Sequence, residues 1–255
     1  FWDGNEVWLI AGGGSIFAAF PLVYATAFSA FYLAVYLLLF ALFFRAVAIE
    51  LRNKVDSVNW KKFWEMSFGI GSLLALILLG VAFGNILRGL PLNSSKVFTG
   101  SFFELLNPYS ILVGVFALIM GLMHSAIYLT LRTTGKLEEK YQKLSNTFYI
   151  VFVISFLLIT IISLFVSKYL FEGITHSPFF WVLLLLLIVS LVIVPVSLNS
   201  KNNKRAFLFS SFSLFSIIGL AAVGMYPRLI PSVTNLNNSL TIMNSSSTER
   251  TLLTM

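Results

Sequence analysis

Apolar runs too long for any water-soluble core constrain this chain most. "LLALILLGVAF" and "WVLLLLLIVSLVIV" recur among similar segments, and a helix that crosses a bilayer needs about 20 such residues. Seven segments meet that length, at about 4–22, 27–52, 64–88, 108–132, 147–168, 178–198 and 206–226. The segment at 4–22 is the shortest in apolar content, carries Gly12, Gly13 and Gly14, and closes on Pro21. A re-entrant or interfacial helix is the other reading there. Only 11% of the residues are charged, against about 25% in soluble domains. The expected class is therefore an all-α polytopic membrane protein, one transmembrane domain over 1–255 with a polar external segment at 227–255.

The loops give sidedness. Lys and Arg concentrate in the cytoplasmic connections of membrane proteins. Loops 51–62, 132–143 and 199–205 hold eleven basic residues, the alternate set holds five, and Arg45 lies inside a span. Residues 53–62 are thus expected in the cytoplasm, and 89–107 and 227–255 outside. The net charge of +7 follows from this asymmetry and does not call for nucleic acid. There is no cysteine, so disulfides and thiolate metal sites are excluded. The chain opens at Phe1 without Met or a charged n-region, so no signal peptide is expected, and an internal segment of a longer protein is.

Ionisable groups within spans are costly and tend to face a bundle interior or a pathway. Asp3 and Glu6 stand one helical turn apart between Trp2 and Trp8. Asp3 as an N-cap is the structural reading. The functional reading is an acid that indoles desolvate, so that it exchanges protons near neutral pH. Arg45 either snorkels to the interface or holds an anion such as Asp3, Glu6 or a haem propionate on a partner chain. His124, alone in mid-span, is expected to hydrogen-bond across helices rather than to ligate haem, since the other histidine, His176, lies in a loop. Gly84, Asn85 and Gly89 in "VAFGNILRGLP" suit a close helix contact bridged by the Asn amide. "TTGKLEEKYQKLSN" reads as a solvated connector with a helical charge pattern. No residue is expected to act as a catalytic group or a metal ligand.

These stretches resemble one family. "FWDGNEVWLIAGGGSIFAAFPLVYATAFSAFYLA", "LFFRAVAIELR", "VAFGNILRGLP", "TGSFFELLNPYSILVG", "YLTLRTTGKL" and "YPRLIPS" are similar, in order, to subunit II of cytochrome bd ubiquinol oxidases. The resemblance implies a fold of two four-helix bundles plus a peripheral helix, nine spans in all, so that seven spans here leave the family's first and last helices missing. It implies that haem b and haem d sit on the partner, subunit I, which oxidises quinol and reduces oxygen to water, with protons for water taken from the cytoplasm. It implies a proton path through Asp3, with Asn5 and Glu6 beside it, Trp2 and Arg45 as structural and charge partners, and Trp8 at an oxygen-access interface. Small accessory subunits, bound lipid and a structural quinone accompany some members. A bacterial cytoplasmic-membrane location follows. A proton-coupled transporter or channel, whose path Asp3, Glu6 and Arg45 would line, is the competing reading. Carriers of that kind show inverted repeats and broken helices, and this chain has one weak Gly/Pro interruption.

Overall fold

The computed structural model describes residues 2–254, with the side chains of Trp2, Asp3, Asn5 and Glu6 outside the described set. Eight helices dominate: α1 (Trp2–Ala19), α2 (Pro21–Ala30), α3 (Tyr32–Leu51), α4 (Val58–Arg88), α5 (Pro108–Arg132), α6 (Lys136–Val166), α7 (Pro178–Asn199) and α8 (Asn203–Met225). Among the described residues, α3 to α8 are the six helices long and apolar enough to cross a membrane. The apolar part of α1, Val7–Ala19, is shorter.

Several boundaries differ from the sequence expectation, each for a local reason. Pro21 does not close the first helix but opens the second: it occupies the first turn of α2, where its missing N–H costs nothing. The stretch expected at 27–52 is interrupted at Phe31, although hydrogen bonds from Phe31 to Ala27 O (2.9 Å) and from Val35 to Phe31 O (2.8 Å) continue the ladder. The charged stretch after Gly135 is helix from Lys136, not connector. Glu138 and Glu139 lie in its first turn, where the helix dipole favours anions, and Glu139 with Lys143 makes an i, i+4 pair spacing. Both α4 and α6 have 31 residues, about 46 Å at 1.5 Å per residue. They therefore overrun a hydrocarbon core of about 30 Å at their basic ends.

Helices α5, α6, α7 and α8 pack in a closed ring, α5 on α6, α6 on α7, α7 on α8 and α8 on α5. That is a four-helix bundle, and its core includes Phe116, Met123, Ile127, Phe152 and Val194. Phe116 stacks on Phe152 at 5.7 Å between ring centres. Helix α4 packs on the outside of α5, and α3 on α4. Glycine makes the α4–α5 contact close. A Cβ at Gly80 would lie 2.8 Å from the Gly114 Cα, and one at Gly84 2.8 Å from the Ser110 Cα.

The segment after α8, read from sequence as polar, folds into a cap over the ends of α2, α4 and α5. Strands β1 (Arg228–Ile230) and β2 (Leu240–Thr241) pair antiparallel, and Leu90 bridges to Ser232. Leu90, Leu92, Ile230 and Leu240 form a second core with Val23, Phe31 and Leu105. The cap is tied down by polar bonds to backbone: Thr234 Oγ1 donates to Leu92 O at 2.7 Å, and Ser247 N–H to Ala19 O at 2.8 Å.

Candidate functional site

The predicted proton-pathway residues occupy the first turns of α1. Asp3 has helical backbone. The side chains of Asp3, Asn5, Glu6 and Trp2 lie outside the described residues. Trp8 is described and 76% exposed, with Val7 and Ile10 exposed beside it. A Cβ at Gly12, Gly13 or Gly14 would meet nothing among the described residues within 4 Å. Helix α1 instead touches α2 and the short α10 (Glu249–Thr254) of the cap.

Arg45 is half-buried on α3, where α3 meets α4 most closely. A Cβ at Gly71 would lie 2.6 Å from the Ala41 O and 3.5 Å from the Arg45 Cβ. The guanidinium lies 5.5 Å from the centre of the Phe68 ring, an arrangement in which the ring face attracts the cation. Arg45 is thus seated beside Phe68 and Gly71 of α4, about two turns before the end of α3. Beyond it, the α3–α4 turn is fastened by Arg52 to Glu65, Lys61 to Asp56 at 2.8 Å, and Trp60 Nε1 to Leu51 O at 2.8 Å.

His124 pairs with Ser210 of α8 at 2.9 Å through Nδ1 and stacks on Phe207 at 4.9 Å. The imidazole is a helix-to-helix tie, as its solitary position in a span suggests. Neither of the two cavities described below includes it, and His176 stands apart in a short 3-10 turn, Ile174–His176. Two histidines so placed do not fit a six-coordinate haem held by this chain.

The sequence reading anticipates Asn85 as a bridge but not its partners. Asn85 Nδ2 donates to Leu105 O at 2.7 Å and to Val81 O at 2.9 Å, and its Oδ1 accepts from Asn107 Nδ2 at 2.9 Å. Asn107 in turn caps α5, its Oδ1 accepting from Ser110 N at 2.9 Å. "FGNILRGLP" and "GSFFELLNP" are therefore one folded unit. The Asn-Pro pair before a long apolar run was the available signal for this cap. At the opposite end Asn203 donates to Thr130 O (3.1 Å) and Glu138 (3.0 Å), joining α5, α6 and α8.

Among the described residues, two of the cavities that open on the surface stand out. One, about 400 Å³, is an apolar groove between α3 and α4 floored by Ala41 and Gly71 and walled by Phe40, Phe44, Phe63 and Met66. The other, about 750 Å³, sits under the cap between the ends of α4, α5 and α6.

Comparison with known proteins decides the family. The family described as cytochrome bd terminal oxidase subunit II matches residues 1–255. The chain belongs to that family. Cytochrome bd-I ubiquinol oxidase subunit 2 of Escherichia coli (strain K12) is 34% identical over 284 aligned residues, covering 100% of this chain and 75% of that protein. Cytochrome bd ubiquinol oxidase subunit 2 of Bacillus subtilis (strain 168) is 32% identical over 256, with the same coverage of both chains. With six helices of spanning length, this subunit II chain is a multi-pass protein of the bacterial cytoplasmic membrane. Its unusual opening on α1, its Asn85–Asn107 unit and its seated Arg45 belong to stretches on which the resemblance was drawn.

Proposed function

We propose that the chain is the non-haem subunit II of a quinol:oxygen oxidoreductase of aerobic respiration. In this reading it stabilises the haem-bearing subunit I and contributes a cytoplasmic proton route to oxygen reduction. The observation that carries it is the family match over all 255 residues. The finer architecture goes with it: α1 as a seventh span, in a nine-span subunit whose second bundle is α5–α8.

Haem b and haem d on subunit I supply electron transfer and oxygen chemistry; this chain supplies protons and packing. Asp3 receives a proton from the cytoplasmic side and passes it inward. Glu6 and Asn5, one turn or less away on α1, hydrogen-bond the path, and Trp2 keeps water from swamping it. Arg45 is a fixed positive charge on α3. Trp8 belongs to the face that meets subunit I, on the route of oxygen. Two features support this arrangement. Helix α1 leaves the cap at Ala19 and rises about 27 Å over 18 residues, long enough to bring its first turn near the level of the basic loops. Its apolar face, Val7, Trp8 and Ile10, is left uncovered by this chain, and its glycines have free space beside them. Subunit I is the partner that covers both. Quinol, membrane lipid and small accessory subunits complete the assembly, and a structural quinone is compatible with it.

Purification of the tagged subunit from its native membrane tests the reading. Co-purification of a second membrane chain with b- and d-type haem absorbance is expected. A haem-free preparation that catalyses proton-coupled solute uptake in vesicles would favour the transporter instead.

A further inference from the structure

The 750 Å³ cavity under the cap is not used by the proton route, and its walls are built for an anion. It is lined by Arg88 at the end of α4, Asn107 and Tyr109 at the start of α5, Tyr169 just past α6, and the loop 232–236. Arg88 is the one charged side chain among these lining residues, and no carboxylate faces it there. The other polar groups of the wall are engaged. Tyr169 donates to Leu87 O, Thr234 donates to Leu92 O at 2.7 Å, and Asn107 is held by Asn85 and Ser110. A second cation, Arg228, lies over the Tyr169 ring at 5.7 Å.

A helix-terminal arginine can simply complement the macrodipole. Two further features exceed that role. The void is within the range of ligand pockets, about 300–1,000 Å³. It also lies where α4, α5 and α6 leave the apolar zone, which is headgroup depth. Below it, Phe165 (74% exposed) and Val166 of α6 offer an apolar track. Guanidinium binds phosphate oxygens in a two-pronged geometry; the helix ends add little to it, since α5 presents its N-terminus here but α4 and α6 present their C-termini.

We propose that this cavity holds the phosphodiester headgroup of a membrane phospholipid, with Arg88 as its cation and the acyl chains lying along α6. The inference does not depend on the oxidase reading.

The test is native mass spectrometry of the full subunit, with whatever chains accompany it, extracted in mild detergent. The wild type is expected to retain one phospholipid per chain that resists delipidation. Arg88→Gln loses it and Arg88→Lys keeps it in part. Leu236→Trp, which fills the cavity from its rim and leaves Arg88 in place, loses it too, so the result does not hang on one variant's folding. In the second arm, delipidated wild type regains its unfolding temperature with phosphatidylglycerol or phosphatidylethanolamine vesicles and not with inorganic phosphate. Equal retention in wild type and both loss variants would overturn the proposal, as would full rescue by free phosphate or a quinone released from the site instead of lipid.

Discussion

Asn85 and Asn107 are joined side chain to side chain at 2.9 Å, and through that bond the exit of α4 is locked to the cap of α5. Asn85 is 2% exposed, so every polar atom on it needs a partner. Replacement by Leu leaves Leu105 O and the Asn107 amide each short of a bond. Leu105 O keeps its bond from Ser110 Oγ and the Asn107 amide its bond to Glu104 O, so each loss costs about 0.5–1.5 kcal/mol, and Asn85→Leu is expected to lower thermal stability and to raise hydrogen exchange across 93–107. An unchanged unfolding temperature would show that the bridge is dispensable.

Glycines on two helices should respond in opposite ways. Gly80→Ala pushes a methyl to 2.6 Å from the Ala117 Cβ, and overpacking of that kind costs about 1–3 kcal/mol. Gly13→Leu places its Cβ where nothing of this chain lies within 4 Å. It is expected to leave the isolated subunit's unfolding unchanged and to weaken its association with subunit I. Blue-native electrophoresis of the complex, set beside unfolding of the separated subunit, distinguishes the two effects.

Tyr169 gives the fold an alkaline limit. Burial, followed by the neighbouring Tyr109, pushes its phenol above the ordinary value of 10.0, with Arg228 opposing. A folded-state value above the unfolded one means stability is complete below about pH 10 and falls as pH rises beyond it. Tyr169→Phe removes this slope. It also loses the bond to Leu87 O, worth about 0.5–1.5 kcal/mol, so the variant is expected to be weaker at pH 8 and flatter toward pH 11. Parallel unfolding curves across that range would contradict the assignment.

Much of this was legible in the sequence, and the exceptions have physical causes. Spans beginning near 108 and 178 announce themselves by Pro at the first helical turn. Hydropathy underestimates α6 because Lys136 to Lys143 continue the same helix into water, where propensity and charge pairing hold it rather than apolar burial. Phe31 interrupts an apolar run without Gly or Pro to mark it. The cap is the largest surprise: Ile230 and Leu240 are nearly inaccessible, yet they sit in short apolar stretches of a largely polar segment, and their partners Leu90 and Leu92 lie about 140 residues earlier. Pairings that distant leave no periodic trace. For the site, the Asn85 bridge and the His124 tie were readable from their solitude in apolar surroundings. Arg88 was not, since an arginine at a helix end is ordinary until the cavity beside it is seen.

The most direct test of the central claim is oxygen-reduction turnover, with proton uptake, in the assembled complex carrying Asp3→Asn. That substitution keeps the side chain's shape and removes its titrating proton. With haem spectra and assembly unchanged, the account predicts turnover and proton uptake falling together, at least partly restored in Asp3→Glu. Wild-type turnover and uptake in the Asp3→Asn complex would contradict it.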